Sequence, residues 1–394
     1  LRILFYILFI GVGSLVLTGG HIYLWRRLVR DTATHGRTRV ILTWALIVLA
    51  LLIPVSLGLS RRVDPSFLRW ATVMGALWLG TALFLACFLV PWDLWRGVRR
   101  VLQRFKRQGS DELAPPMDPD RRLFLSRVAA GTALFGTTAV VGLGVRNAGE
   151  ILRPLVEVQL PRLPKELSGF RIVQISDLHI GPILDGHFLQ TIVDEVNALK
   201  PDLVAITGDL VDASVGLIGP LFQPLAKLNP RFGTYFVTGN HEYYSEPLGW
   251  PPYLEQLGVR VLMNERVRIG DQVSFDLVGI PDSRGYLFVP EHRSDIAHAV
   301  KGRDPERELV LLAHRPNDVV EAADVGVGLQ LSGHTHGGQF WPVVPLVGLV
   351  HRYTAGLHRH TDTTQIYVSR GTGYWGPPIR LGAPAEITTI VLTA

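Results

Sequence analysis

One cysteine, Cys87, stands in 394 residues, and it lies inside an apolar stretch. A lone thiol excludes an intrachain disulfide framework and a thiolate-rich metal site. It does not settle the compartment, because a disulfide-free domain also works outside the cytoplasm. Charge is scarce as well: Asp, Glu, Lys and Arg make up 19% of the chain and are unevenly spread. Before Glu150 there are 19 Lys and Arg against 7 Asp and Glu; from Glu150 onward there are 20 against 27. The net charge of +5 therefore hides a basic first part and an acidic second part, and no nucleic-acid-specific feature follows from it. Internal repeats and low-complexity tracts are also lacking, which excludes solenoid architectures.

What is present early in the chain is apolar. Ile3 to Leu17, Val40 to Leu59 and Phe67 to Val90 carry almost no charge. The last two approach the roughly 20 residues that cross a bilayer as a helix, and the first needs a few flanking residues. Trp25, Trp70, Trp92 and Trp95 lie near the ends of these runs, as interfacial anchors do. A fourth run, Val128 to Val145, is diluted by Gly, Ala and Thr and follows paired Arg121 and Arg122. That pairing before Phe124-Leu125 resembles a twin-arginine export signal, and equally fits the basic flank of a last membrane helix. Arg146 breaks any small-x-small cleavage pattern before Glu150, so the segment is expected to remain as an anchor.

Orientation follows from loop charge. Arg26, Arg27, Arg30, Arg37 and Arg39 crowd the first loop, and nine basic residues from Arg96 to Arg127 crowd the third. The second loop holds only Arg61 and Arg62. Placing the basic loops in the cytoplasm puts the region after Val145 outside it. The expected division is a membrane domain with three transmembrane helices over 1–95, a basic cytoplasmic linker over 96–127, a fourth transmembrane or signal-anchor segment over 128–149, and a separate domain over 150–394. The expected location is the cell membrane, multi-pass, with the domain over 150–394 extracytoplasmic.

In the last region five polar clusters each follow a short apolar run that reads as a buried strand. They are Asp177-Leu178-His179, Gly208-Asp209-Leu210-Val211-Asp212, Gly239-Asn240-His241-Glu242, His314, and Gly333-His334-Thr335-His336. The runs are Arg171 to Ile175, Leu203 to Thr207, Tyr235 to Thr238, Glu308 to Ala313 and Val327 to Leu331. Between the first two, Phe188 to Leu199 spaces its apolar residues as one face of a helix. Strand ends that repeatedly offer Asp, Asn or His line one edge of a sheet with metal ligands, where α/β sheets keep their chemistry. Residues two apart at a strand end, Asp177 with His179 and His334 with His336, are expected to project to one face. This oxygen and nitrogen set suits Mn, Fe or Zn, and seven candidates are too many for one ion. Two ions roughly 3.5–4 Å apart clamp the attacking and leaving oxygens of a displacement at phosphorus.

With these residues in place the chain resembles the calcineurin-like metallophosphoesterases from about Leu155 to Ala394. The stretches Gly333 to Gln339 and Gly371 to Ile390 look most like their bacterial membrane-associated, twin-arginine-type branch. The resemblance implies a four-layer αββα sandwich of two mixed sheets, here preceded by a bundle of transmembrane helices. It implies two divalent ions, manganese foremost. Asp177, His179 and His336 would bind one ion; Asn240, His314 and His334 the other; Asp209 would bridge them. A bridging hydroxide would attack, and His241 would act as the acid. Asp212, near the Gly-Asp turn, is expected to orient a ligand imidazole or a loop.

Other residues keep two readings each. His351, His358 and His360 are solvated loop histidines or a third metal site. Tyr243, Tyr244 and Trp250 wall a pocket or pack beneath a loop. Tyr374-Trp375 and the apolar run Phe340 to Val350 suggest a hydrophobic lip toward lipid. The whole reads as a membrane-anchored phosphoesterase. Its expected substrates are phosphodiester, pyrophosphate or related bonds of lipid-linked or envelope compounds. The competing class is a membrane sensor or scaffold that binds metal or phosphate without turnover.

Overall fold

The computed structural model describes residues 2–32, 36–59, 65–106 and 118–394, with side chains except at 2–10, 57, 59, 65–68, 104 and 106. Arg61, Arg62, Arg107 and the Pro-containing stretch as far as residue 117 lie outside the described residues. Two compact units emerge, one of Leu1–Gly58 with Ala71–Leu143 and one of Leu59–Trp70 with Gly144–Ala394.

Four long helices account for the first part of the chain: α1 (Arg2–Leu24), α2 (Arg37–Leu59), α3 (Pro65–Lys106) and α4 (Pro119–Ala148). Among the described residues, three stretches are long and apolar enough to cross a membrane: Arg37–Ser56, Arg69–Gln103 and Pro119–Ala148. Apolar side chains such as Trp44, Leu51 and Val55 face outward along α2, the reverse of a water-soluble helix and the pattern expected in lipid. Among the described residues, Leu24, Leu46, Leu85, Leu89 and Ala133 form a buried cluster in this unit. Polar side chains pair across helices: Trp78 Nε1 donates to His21 Nε2 (2.9 Å) and Tyr23 Oη to Asp93 (2.8 Å). Helix α3 runs on through residue 106 and α4 begins at 119, so the described ends of the basic 96–127 stretch are helical.

The second unit is a sandwich of two six-stranded sheets. The first has the order β2 (Leu155–Gln159), β14 (Thr388–Thr393), β3 (Phe170–Ile175), β4 (Leu203–Ile206), β5 (Thr234–Phe236), β6 (Val259–Val261). The second has the order β11 (Gly356–Arg359), β12 (Gln365–Val368), β10 (Leu329–Ser332), β9 (Leu309–Leu312), β8 (Phe275–Gly279), β7 (Glu265–Ile269). A small parallel pair joins β1 (Ile151–Leu152) to β13 (Ala385–Glu386). Both large sheets are mixed. Strands β3 to β6 run parallel while β14 opposes β3; β8, β9, β10 and β12 run parallel while β7 and β11 oppose them.

Strands β4 and β9 are apolar throughout because neighbours cover both their faces. Phe170, Ile172, Leu203 and Tyr235 of the first sheet meet Phe275, Leu277, Val310, Leu312 and Leu329 of the second in the inner layer. Outside the first sheet, α5 (Gly186–Ala198), α6 (Val215–Ile218) and α8 (Trp250–Gln256) pack on Val173, Ile175, Val204 and Ile206. Outside the second, α9 (Ile296–Ala299) and α10 (Val319–Asp324) cover Val278, Leu309 and Leu311. This is the expected four-layer αββα arrangement. Helix α5 lies where periodicity places it, with Leu189, Ile192, Val193 and Val196 buried, and Asp185 caps it by accepting from the His187 and Phe188 N–H groups. Two short helices remain, α7 (Asn240–Ser245) and α11 (Val343–Val347).

Candidate metal centre

The parallel strands decide where chemistry collects. Because β3, β4 and β5 point one way, the loops after them open on one edge; β9 and β10 do the same in the facing sheet. Those five loops carry all five polar clusters.

Within the loops the backbone departs from strand geometry. Strand β3 ends at Ile175 and β10 at Ser332, so Asp177 with His179, and His334 with His336, are not strand residues. Each adopts a positive φ: 54° at Asp177, 49° at His179, 51° at Asp209, 72° at His334 and 51° at His336. This is a correction to the expected same-face projection by strand alternation. The pairs converge through left-handed turns, which cost non-glycine residues energy and concentrate at functional sites.

Three ligand groups form: Asp177 with His179 and His336; Asp209 with His314 and His334; and His179 with Asp212 and His241. The first two match the expected sets without Asn240. Their donor atoms have the spacing a cation demands. His179 Nε2 faces His336 Nε2 at 3.1 Å, His314 Nε2 faces His334 Nδ1 at 3.1 Å, and His336 Nε2 lies 3.5 Å from Asp177 Oδ1. Ligands about 2.1 Å from one ion sit on the order of 3–3.5 Å apart. Asp209 Oδ2 lies 3.3 Å from His314 Nε2 and 4.0 Å from His179 Nε2, between the two groups. The rings are turned correctly, since His314 Nδ1 donates to the Thr207 carbonyl (2.8 Å) and His179 Nδ1 to Asp212 (3.0 Å), leaving each Nε2 pointing inward. The donor set therefore fits a pair of divalent ions.

Electrostatics agrees. Burial pushes the Asp177 carboxyl up. Asp209 is also penalised by burial, yet the His314 and His241 charges outweigh that and hold it well below the usual range. Burial drives His334 and His336 well below an ordinary imidazole, so both stand neutral and ready to ligate. His241 goes the other way: burial opposes its charge, but Asp209 and Asp212 overcome this and raise it to about 9. Its backbone N–H donates to Asp209 Oδ1 (2.8 Å) and its Nδ1 donates to Asp212 Oδ1 (2.6 Å). Its ring meets His179 edge-on at 4.5 Å between centroids.

Asn240 sits at the first position of α7, 9% exposed, with Oδ1 accepting from Arg315 Nη2 (3.2 Å). Among the aromatic candidates, Tyr244 lies 5.3 Å and Trp375 5.8 Å from the His241 ring, so both border the site. Trp250 is fully buried and donates to the Ala213 carbonyl, which makes it a core residue. His351 packs against His334 at 5.4 Å, and His358 stacks on Tyr353; among the described residues none of the three loop histidines joins a ligand group.

The sequence reading assigned no role to Arg315, Asp282, Glu242 or Arg380. Arg315 donates to His334 Nε2 (2.9 Å) and is anchored by buried Asp282 (2.7 Å); only its place beside His314 hinted at it. Glu242 accepts from the Gly239, Asp209 and Leu210 N–H groups, pinning the Gly-Asp loop to α7; its place three residues after Gly239 is the capping-box spacing. Arg380, buried, bonds the Gly371, Gly373 and Ala383 carbonyls and lies 3.5 Å from His336 Nδ1, with no sequence signal.

Residues 170–338 match the family profile described as calcineurin-like phosphoesterase. A transmembrane protein with metallophosphoesterase domain from Danio rerio is 33% identical over 395 residues, which span 97% of this chain and 88% of that one. A protein of the same description from Bos taurus is 34% identical over 402 residues with the same coverage. The chain belongs to the calcineurin-like phosphoesterase family. An uncharacterized metallophosphoesterase from Helicobacter pylori is 40% identical over 251 residues, 61% of this chain and 65% of that one. Family membership makes the chain a metal-dependent phosphoesterase, and the Danio rerio and Bos taurus relatives, which match 97% of it, carry "transmembrane" in their names.

Proposed function

We propose that this calcineurin-like phosphoesterase is a multi-pass membrane enzyme that hydrolyses phosphodiester, pyrophosphate or related bonds of envelope or lipid-linked compounds outside the cytoplasm. The site would hold two ions, with manganese the first choice. Asp177, His179 and His336 serve one, Asn240, His314 and His334 the other, and Asp209 lies between. When bound, the ions supply a nucleophile from water at neutral pH and offset charge on the phosphoryl oxygens. His241, kept protonated by Asp209 and Asp212, delivers a proton to the departing oxygen. Asp212 fixes the His241 ring for that transfer and at the same time holds the His179 tautomer. The carrying observation is the position of Asp209 Oδ2 between two ligand groups. A single carboxylate shared by two imidazole sets suits two ions and has little use in a scaffold.

The topology belongs to the same reading. It divides the chain at 1–95, 96–127, 128–149 and 150–394, with the paired arginines 121 and 122 acting as a twin-arginine-type or positive-inside signal for the last membrane segment. A reporter fused after Ala394 and active only in the cytoplasm would refute the orientation. Catalysis is tested on the purified full chain with Mn²⁺ and bis-p-nitrophenyl phosphate. Metal-dependent release that vanishes in Asp209→Asn supports the enzyme; no turnover despite two bound ions would favour the non-catalytic sensor or scaffold.

A further inference from the structure

The segment between the last candidate ligand, His336, and His351 has no part in the chemistry just described, yet it is unusual in composition and placement. It leaves the site at Gln339, whose side chain accepts from the Trp375 N–H (3.0 Å) and donates to the Pro377 carbonyl (3.1 Å). Beyond that anchor Trp341, Leu346, Leu349 and Val350 stand exposed, Leu349 at 83% and Val350 at 72%. No Asp or Glu occurs between Asp324 and Asp362, while Arg352 and Arg359 are exposed at the far end of the segment. An apolar crest with a basic border and no carboxylate is what an anionic lipid surface attracts.

Its position supports the same partner. Trp341 N–H donates to the Leu381 carbonyl (3.0 Å), and the next residue back, Arg380, donates its N–H to the Gly144 carbonyl (2.9 Å). Gly144 opens the longer of the two stretches that make up the second unit, within the last turns of α4. The chain reaches β1 only three residues after α4 ends at Ala148. The root of the crest and the exit of a membrane-type helix thus share one short segment, 380–381. On its other side the apolar surface continues toward the chemistry, since exposed Trp375 packs against the His241 ring.

We propose that residues 341–350 form a lip that docks into the bilayer interface, so that the site takes phosphoesters whose apolar portion stays in the membrane. This rests on the reading of α4 as a membrane helix and deepens the proposed function by naming a membrane-held substrate. The lip acts by placing the Trp375 side of the site at the depth of the lipid headgroups, and it contributes nothing to bond cleavage.

The test uses the full chain in nanodiscs of phosphatidylethanolamine and phosphatidylglycerol. On a Cys87→Ser background, Leu349→Cys carries a nitroxide, and Asp271→Cys, in the hairpin between β7 and β8 at the opposite edge of the second sheet, carries the control. Relaxation of the Leu349 label by dissolved oxygen in preference to a water-soluble nickel chelate, with the reverse at Asp271, is expected. A Leu349 label open to the chelate, or shielded from both reagents by protein, overturns the lip. The paired substitution Leu349→Glu, Val350→Glu provides a second readout. Hydrolysis of bis-p-nitrophenyl phosphate is expected to stay within twofold, while hydrolysis of hexadecyl p-nitrophenyl phosphate in the nanodisc falls at least tenfold. Equal effects on both probes overturn the proposal. If the unsubstituted chain hydrolyses neither probe, the phosphoesterase reading fails, and the depth of the Leu349 label still decides for or against the lip.

Discussion

Asp212 Oδ1 lies 2.6 Å from His241 Nδ1, and the same oxygen receives His179 Nδ1 at 3.0 Å. One carboxylate oxygen therefore aims both the proposed proton donor and a candidate metal ligand. Replacing an oriented ligand's partner in this way typically costs 10–100-fold, and Asp212→Asn is expected to lower kcat by about that factor. The pH profile separates this from simple damage. In the proposed role His241 works in its protonated form, which its raised value of about 9 preserves below that pH and which is lost as pH rises through it. Removing the Asp212 charge lowers that value, so the alkaline limb of kcat should move to lower pH. An unchanged limb would show that His241 is not the group titrating.

Arg315 bridges two candidate ligands of one ion while Asp282 holds its Nε. An imidazole that gives Nδ1 to a cation carries its proton on Nε2, where Arg315 could no longer donate. The guanidinium, still anchored at Asp282, then becomes a donor for a phosphoryl oxygen. Arg315→Ala should raise KM by about 10–100-fold, the worth of a charge-assisted hydrogen bond of roughly 1.5–3 kcal/mol. Metal content should hold, and added guanidinium should restore part of the loss. Depleted metal in the variant would instead make Arg315 a support for His334.

The two halves of the reading were legible to different degrees. Buried parallel strands show as apolar runs, so Leu203–Ile206 and Leu309–Leu312 fall inside the stretches read from the chain. The candidate ligand residues were legible because each belongs to a polar cluster that follows such a run. Their convergence was not, since it depends on left-handed turns at Asp177, His179, Asp209, His334 and His336 that no side-chain pattern announces. Residues that act across the sandwich were also hidden. Asp282 follows β8 and Arg315 follows β9, and only the parallel pairing of those strands brings them together. Trp250 and Trp375 look alike in sequence, yet packing buries one and sets the other beside His241.

Metal should stabilise the fold as well as serve the reaction. Asp177 and Asp209 are essentially buried, and burial disfavours each charged carboxylate. Ions that bind only the folded state add about 2.7 kcal/mol at a hundred times their Kd. Chelation should thus lower the thermal midpoint of the purified chain, and Mn²⁺ should restore it. In Asp209→Asn the Mn²⁺-dependent rise should be largely absent. A wild-type midpoint indifferent to chelator would mean that the imidazole pairs hold no ion.

Gly333 offers a test of the turn itself. It precedes His334, and a Cβ placed there would overlap the Ser176 hydroxyl and the Asp177 carboxylate. Asp177 in turn accepts the His334 N–H through both oxygens, at 3.0 and 3.1 Å, so the two loops are locked at this point. Neither neighbour can retreat easily, because Ser176 and Asp177 are both fully buried. Gly333→Ala must therefore push Asp177 away from its place beside His336 Nε2, where it now lies at 3.5 Å. Loss of one ion and at least a hundredfold of kcat is expected, with far-ultraviolet dichroism close to that of the unsubstituted chain. Retained metal content and turnover in the alanine variant would show that the Gly-His turn tolerates a side chain and that its tight approach does not define the site.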